Sequence, residues 1–146
     1  MDGKGKTAVN ELTFITENNS EWDEKIAAGL RKECETLTGI ANDFKAHNIY
    51  VKSGSTFVGG IIFEHHGDIL WIDSLWIEPK FRRKGIASQL LQKAMLFATQ
   101  KKVKEVQLNT YFPESHTFFL TCCFKDVSMI PNWKYGLTCY LMRKEV

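Results

Sequence analysis

Between positions 69 and 109 the sequence passes from an apolar, β-rich segment through Pro79 and a basic turn into one unbroken amphipathic helix, then into a second β-rich segment. A helix between two strands makes a connection long enough to return the second strand parallel to the first, where a short turn permits only a hairpin. The helix begins at Ile86 and carries Leu90, Leu91, Ala94, Met95, Phe97 and Ala98 on a broad apolar face. Upstream, β-rich stretches at 48–52, 56–64 and 69–77 are separated only by Ser53-Gly54-Ser55 and His65-His66-Gly67-Asp68, which predicts an antiparallel meander. The expected architecture is α+β: a three-layer sandwich with a mixed, mostly antiparallel twisted sheet flanked by helices.

The rest of the chain fits around that unit. Residues 1–10 lack periodicity and read as a loose arm, leaving 11–146 as a single domain. A short strand is expected at 12–15. Asn18-Asn19-Ser20 then offers caps for a helix starting near Glu21, whose Ile26, Leu30, Cys34 and Leu37 recur at helical spacing as a buried stripe ending at Gly39. Downstream, a strand at 103–109, a short aromatic-rich helix at 114–122 and strands at 125–127 and 137–142 complete the pattern. Alternation along 69–77 sends Trp71 and Trp76 to opposite faces, one of them covered by a helix or a second subunit, so a homodimer is considered.

A net charge of +2 is too weak to argue for a nucleic-acid or membrane partner, and none is expected, while it would not repel an anionic cofactor. No apolar run approaches the roughly 20 residues of a membrane span, and no leader-like stretch opens the chain, so a cytoplasmic protein is expected. Cys34, Cys122, Cys123 and Cys139 follow no metal-binding spacing and read as buried free thiols, and no metal is expected.

The turn between strand and helix carries the chemistry. Arg82, Arg83 and Lys84 supply cations, and Gly85 with small Ala87 lets the backbone approach a ligand where the helix begins. Free N–H groups at a helix N-terminus converge on anionic oxygens, assisted by the helix dipole, which suits a pyrophosphate. The lysine precedes the glycine and no Gly-Lys-Ser/Thr follows, so this is no Walker loop, nor is it G-x-G-x-x-G. Spacing alone leaves a solvated basic loop or a nucleic-acid patch open.

The whole run from Trp71 through Leu75-Trp76-Ile77-Glu78-Pro79 and Arg82-Arg83-Lys84-Gly85-Ile86-Ala87 to Leu90-Leu91 resembles the signature of the GNAT superfamily of N-acyltransferases. That signature is a strand ending Leu-x-Val-x-Pro, then Arg/Gln-x-x-Gly-x-Gly/Ala opening a helix with paired leucines; Ile77 stands for the valine. The later Leu108-Asn109-Thr110 and Phe118-Phe119-x-x-x-Cys123-Phe124 resemble the family's second half. The resemblance implies acetyl-CoA as donor, without a metal. It also implies that the backbone of Leu75, Trp76 and Ile77 holds the pantetheine arm, that residues 82–87 take the pyrophosphate with Ser88 extending that helix start, and that the two central strands splay apart. The acceptor is then a small-molecule or peptide amine, reached by direct transfer. The runner-up is a domain that binds or senses acyl-CoA with weak turnover or none.

An alkylammonium with a pKa near ~10.4 has no lone pair and must lose a proton before it attacks. Asp73, at a position where the family often places an acid or histidine facing the acceptor, is the first candidate base. Glu78, His65 and His66 read as exposed turn residues, and His116 stays open. Where the family commonly has a tyrosine to protonate the leaving thiolate, this chain has Phe119, and Cys123 replaces a glycine. Tyr111 is the substitute considered, as an acid or as part of the acceptor site.

Overall fold

In the computed structural model, residues 8–41 and 45–146 are described. The chain divides into two compact units, Met1–Gly39 and Ile40–Val146. Most of the expected N-terminal arm lies outside the described residues.

Among its described residues the first unit has one helix, α1 (Ser20–Thr38), with residues 8–19 before it lacking regular structure. Asn19 caps it: its side chain accepts a hydrogen bond from Trp22 N at 3.1 Å, and Glu21 and Asp23 sit in the first turn, where the helix dipole favours acids. Gly39, at φ 69°, closes it with its N–H donating to Glu35 O. Two expectations fail here. Residues 12–15 form no strand, because no second strand among the described residues of this unit satisfies a ladder. The stripe is not buried: Ile26 and Leu30 are 66% and 63% exposed, since a lone helix has no second surface of its own unit to pack on.

The second unit holds β1 (Lys45–Ser53), β2 (Thr56–His66), β3 (Ile69–Ile77), α2 (Ile86–Gln100), β4 (Glu105–Thr110), α3 (Pro113–Thr121), β5 (Lys125–Lys134) and β6 (Leu137–Glu145), with a single 3-10 turn over Pro79–Phe81. The six strands form one sheet in the order β1-β2-β3-β4-β6-β5. The meander β1-β2-β3 is antiparallel, and β3 and β4 pair in parallel across the α2 connection, as the lengths of the connections require. The edge strand β5 runs well past the expected 125–127. His65 and His66 end β2 rather than sitting in the turn after it.

The core lies where α2 covers β2 and β3. Leu90, Leu91, Ala94 and Ala98 pack against Ile61, Phe63, Leu70, Ile72, Val106 and Leu108, and Phe119 of α3 joins the same cluster. Helical periodicity placed Leu90, Leu91, Ala94 and Ala98 on the apolar face, and burial of each large side chain contributes roughly 1.5–3 kcal/mol.

One irregularity resets the pattern in β3. Ile62 pairs with Ser74 but Phe63 pairs with Ile72, so Asp73 is an extra, unpaired residue in a β-bulge. The shift puts Ile72 and Ile77, five residues apart, both into the core. By the same shift Trp71, opposite Glu64, and Trp76, opposite Gly60, share the other face. The strict alternation that separated the two tryptophans is therefore overturned by the bulge.

The four cysteines are free, as expected, but only Cys139 is buried. Burial pushes the half-buried Cys122 thiol up. Cys123 is exposed because it ends α3 in the left-handed region, φ 67°; a glycine there would carry no Cβ penalty. Phe124 N then donates to Phe119 O at 3.0 Å, closing the helix in the manner of a glycine stop. Cys123→Gly should raise stability by about 0.5–1 kcal/mol, the left-handed strain relieved outweighing the entropy of glycine. Urea denaturation checks this, and an unchanged or lower midpoint contradicts it.

Candidate acyl-donor site at the parting of two strands

Parallel pairing of β3 with β4 stops at Ile72↔Leu108, although β3 continues to Ile77 and β4 continues to Thr110 in its pairing with β6. Past that point the β4-facing edge of residues 73–77 has no strand partner among the described residues. Backbone N–H and C=O groups on such an edge are obligatory hydrogen-bonding groups left for something else. Arg82 reaches back to this edge, its Nε donating to Ile77 O at 2.8 Å, and so fixes the turn against the strand.

The turn itself leaves backbone N–H groups free. Arg83 and Gly85 both lie at left-handed φ, 62° and 78°, flanking Lys84 in a backbone conformation that makes concave arrays of N–H groups. Gly85 caps α2 without any side-chain hydrogen bond, and no acid stands in the first turn. The first intrahelical bond found after it is Gln89 N to Gly85 O at 3.1 Å, so Ile86, Ala87 and Ser88 present N–H groups that lack an intrahelical acceptor. A Cβ built on Gly85 would meet nothing within 4 Å; the space above it is open. Arg82, Arg83 and Lys84 are exposed, and none is in an ion pair among the described residues.

Edge and turn open into one cavity of about 880 Å³, walled on its far side by α3. Of the residues expected to hold cofactor, Leu75, Trp76, Ile77, Arg82, Arg83, Gly85, Ile86, Ala87 and Ser88 line it. Lys84 does not; its Nζ lies 5.9 Å from the centre of the Phe81 ring. Sequence reasoning missed Phe81, Ser115 and Thr117, which also line the wall. The signal for Ser115 was its place four residues before Phe119, on one face of α3.

The expected catalytic groups lie apart. Asp73 is exposed on the bulge, next to the last β3–β4 pair, and accepts a hydrogen bond from Ser74 Oγ at 2.7 Å. Tyr111 packs on Phe112 with ring centres 4.6 Å apart and planes tilted by 31°, and does not line the cavity. Phe119 does line it, wedged against Phe118 and Phe124 at ring distances of 5.1 and 5.4 Å. His116 turns away from the cavity: Nε2 lies 2.9 Å from Asp126 Oδ1, and the ring stacks on Tyr140 at 3.6 Å. His65 and His66 hydrogen-bond Gly67 O and Glu64 at the other end of β2. Among the described residues no cluster of three His, Cys, Asp or Glu groups has the geometry of a metal site, and no helix is long and apolar enough to cross a membrane.

Comparison with known proteins agrees with this architecture. A profile of the acetyltransferase (GNAT) family matches residues 14–119, and the chain belongs to that family. No curated protein matches the sequence. A protein assigned as an acetyltransferase from Agrobacterium tumefaciens superposes with a TM-score of 0.84 at 17% identity, over 94% of this chain and 100% of its own. An acetyltransferase from Bacillus cereus ATCC 14579 gives 0.79 at 18% identity, over 92% and 98%. A Bacillus anthracis str. Ames protein assigned as a streptothricin acetyltransferase, solved in complex with acetyl coenzyme A, gives 0.62 at 13% identity, over 68% of this chain and 61% of its own. At these identities the likeness is one of fold.

Gly85→Val should cost about 1–2 kcal/mol in stability, because a β-branched residue is forced to positive φ, and should place a side chain in the open space above the turn. Acetyl-CoA affinity, read by calorimetry, is expected to fall at least tenfold; unchanged affinity in a folded Gly85→Val protein would refute the cradle.

Proposed function

We propose that this chain is an acetyl-CoA-dependent N-acetyltransferase that delivers the acetyl group directly to a primary amine. The observation that carries the reading is the uncapped N-terminus of α2, with left-handed Arg83 and Gly85, opening into the same cavity as the unpaired edge of β3. A diphosphate and an amide-bearing arm are the ligand parts that such a turn and such an edge satisfy together. The acetyl coenzyme A complex of the Bacillus anthracis neighbour supports the donor.

In this reading the N–H groups of residues 85–88 hold the pyrophosphate, with Arg82 and Arg83 neutralising it, and the edge of residues 75–77 holds the pantetheine arm and polarises the acyl carbonyl. Acetyl-CoA supplies an activated thioester, from which an amine displaces coenzyme A thiolate as the new C–N bond forms and the C–S bond breaks. Asp73 takes the proton that the ammonium must shed, directly or through one water. Phe119 has no proton to give, so the thiolate is protonated by solvent.

Coenzyme A release, followed by thiol detection over a panel of primary amines, tests the assignment. Saturable acetyl-CoA binding without release for any amine would favour the runner-up, an acyl-CoA-binding domain, for which the wedged Phe119 speaks. Where release is seen, Asp73→Asn should lower kcat/KM by ~100-fold or more and change the pH–rate profile; an intact pH–rate profile would sink the base assignment. Phe119→Tyr restores a donor at the cavity wall and should raise kcat with little change in acetyl-CoA affinity, a split that steady-state kinetics resolves.

A further inference from the structure

The far wall of the donor cavity is a helix that cannot hold itself in place. α3 is nine residues long, and Phe112 at its start gives it no side-chain cap; a helix this short is marginal without tertiary support. Ser115, Thr117, Phe118 and Phe119 line the cavity, and His116 in their midst does not. At about 100° per residue, Ser115 and Thr117 flank His116 and Phe118 lies on nearly the opposite side of the helix. The residue that turns its back on the cavity is therefore the one placed to fasten the wall from behind.

The fastening runs to the β5–β6 hairpin. Nε2 of His116 lies 2.9 and 3.1 Å from the two carboxylate oxygens of Asp126 on β5. A carboxylate only accepts, so Nε2 carries the hydrogen and donates it. The imidazole also lies flat on Tyr140 of β6, with ring centres 3.6 Å apart and planes 8° from parallel, and its side chain is only 16% exposed. Asp126 stands at an irregularity: it pairs with Met142 while Ser128 pairs with Leu141, so Val127 is an extra residue, the kind of bulge that re-aims a neighbouring side chain. Tyr140 in turn pairs with Thr110, the last residue of β4. At the other end of α3, Lys144 Nζ of β6 donates to Cys122 O at 2.9 Å. Among the described residues no side-chain hydrogen bond or ion pair joins α3 to α2 or β3. One side of the cavity is thus built into the sheet and clamped by Arg82 on Ile77 O, and the other is hung from β5 and β6.

We infer that His116 is a positioning residue: through Asp126 and Tyr140 it clamps α3 to the β5–β6 hairpin and fixes the cavity wall against which the pantetheine arm of the donor lies. The inference rests on the acyl-donor reading of the cavity and adds to it what sets the width of the site. A wall in place only one-tenth of the time gives an apparent affinity about tenfold weaker, because binding must first select the competent position. The effect falls on the arm, which passes α3, and spares the diphosphate, which the turn before α2 holds.

Calorimetry on the full-length chain with coenzyme A and with ADP tests this. In His116→Ala the Kd for coenzyme A is expected to rise at least fivefold while that for ADP stays within twofold. Asp126→Asn, which keeps an oxygen to accept from Nε2, should stay within twofold of wild type for both, and Asp126→Ala should match His116→Ala, with the double variant no weaker than either. Unchanged coenzyme A binding in His116→Ala overturns the clamp; so does a parallel loss of coenzyme A and ADP, the mark of general damage to the fold. Where His116→Ala does not fold, Asp126→Ala, at a more exposed side chain, carries the same comparison. Hydrogen exchange of the ligand-free protein separates failure of the clamp from failure of the donor reading. In the alanine variant α3 amides should exchange at least fivefold faster with those of α2 unchanged. If they do so and the wild type binds no coenzyme A, the clamp stands and the donor reading falls; α3 exchange that does not respond overturns the clamp.

Discussion

Everything distinctive in this domain follows from the point at which β3 and β4 cease to pair. Up to Ile72↔Leu108 the two strands run as an ordinary parallel pair buried under α2. Beyond it, the strand edge keeps its hydrogen-bonding groups and loses its partner. In a buried sheet, orphaned backbone groups would be strongly destabilising, so the parting is tolerable only where water or a ligand replaces the missing strand. The cavity along the edge supplies that space.

The bulge at Asp73 and the parting are two parts of one device. An extra residue in β3 raises the local twist at the residue after the last parallel pair. On the β2 side the register resumes at Ile62↔Ser74 and holds to Gly59↔Ile77, so β3 stays anchored by one edge while the other is released. Gly59 makes the anchoring close: a Cβ on it would collide with Trp76 O and fall 2.8 Å from Ile77 Cδ1. The chain then turns through Pro79–Phe81 and is clamped by Arg82 on Ile77 O before α2 begins. The same few residues thus set the free edge, the turn before α2 and the place of Asp73 on the bulge.

What could be read in the sequence divides along the same physical line. The meander, the crossover and the basic turn were legible because each rests on local rules: alternation, helical periodicity, connection length and glycine at a helix start. The bulge was not legible, because nothing in Trp71-Ile72-Asp73-Ser74-Leu75-Trp76 marks an extra residue. Only the pairing with β2 reveals it, and one uncounted residue reversed the face assigned to Trp76. The stripe on α1 failed differently. Periodicity predicts that a face is apolar, and only a partner surface decides whether that face is buried, so Ile26 and Leu30 remain exposed in a unit consisting of one helix. The residues of the turn that line the cavity were singled out by their chemistry. Ser115 and Thr117 were missed because a hydroxyl on a short helix carries no signal until the helix is placed against the cavity.

Phe119 and Cys123, the two departures from the family's pattern, differ in kind. Cys123 occupies a backbone position that asks for glycine, and the fold holds it at φ 67° all the same; the departure bears on stability and leaves the cavity alone. Phe119 occupies a wall position and keeps its aromatic packing with Phe118 and Phe124, so the departure leaves the fold untouched and changes the chemistry of the wall. A thiolate next to such a wall gains no proton from it. If transfer to an amine takes place here, it has to rest on holding an already deprotonated amine in place to attack, through orientation rather than acid catalysis at this wall.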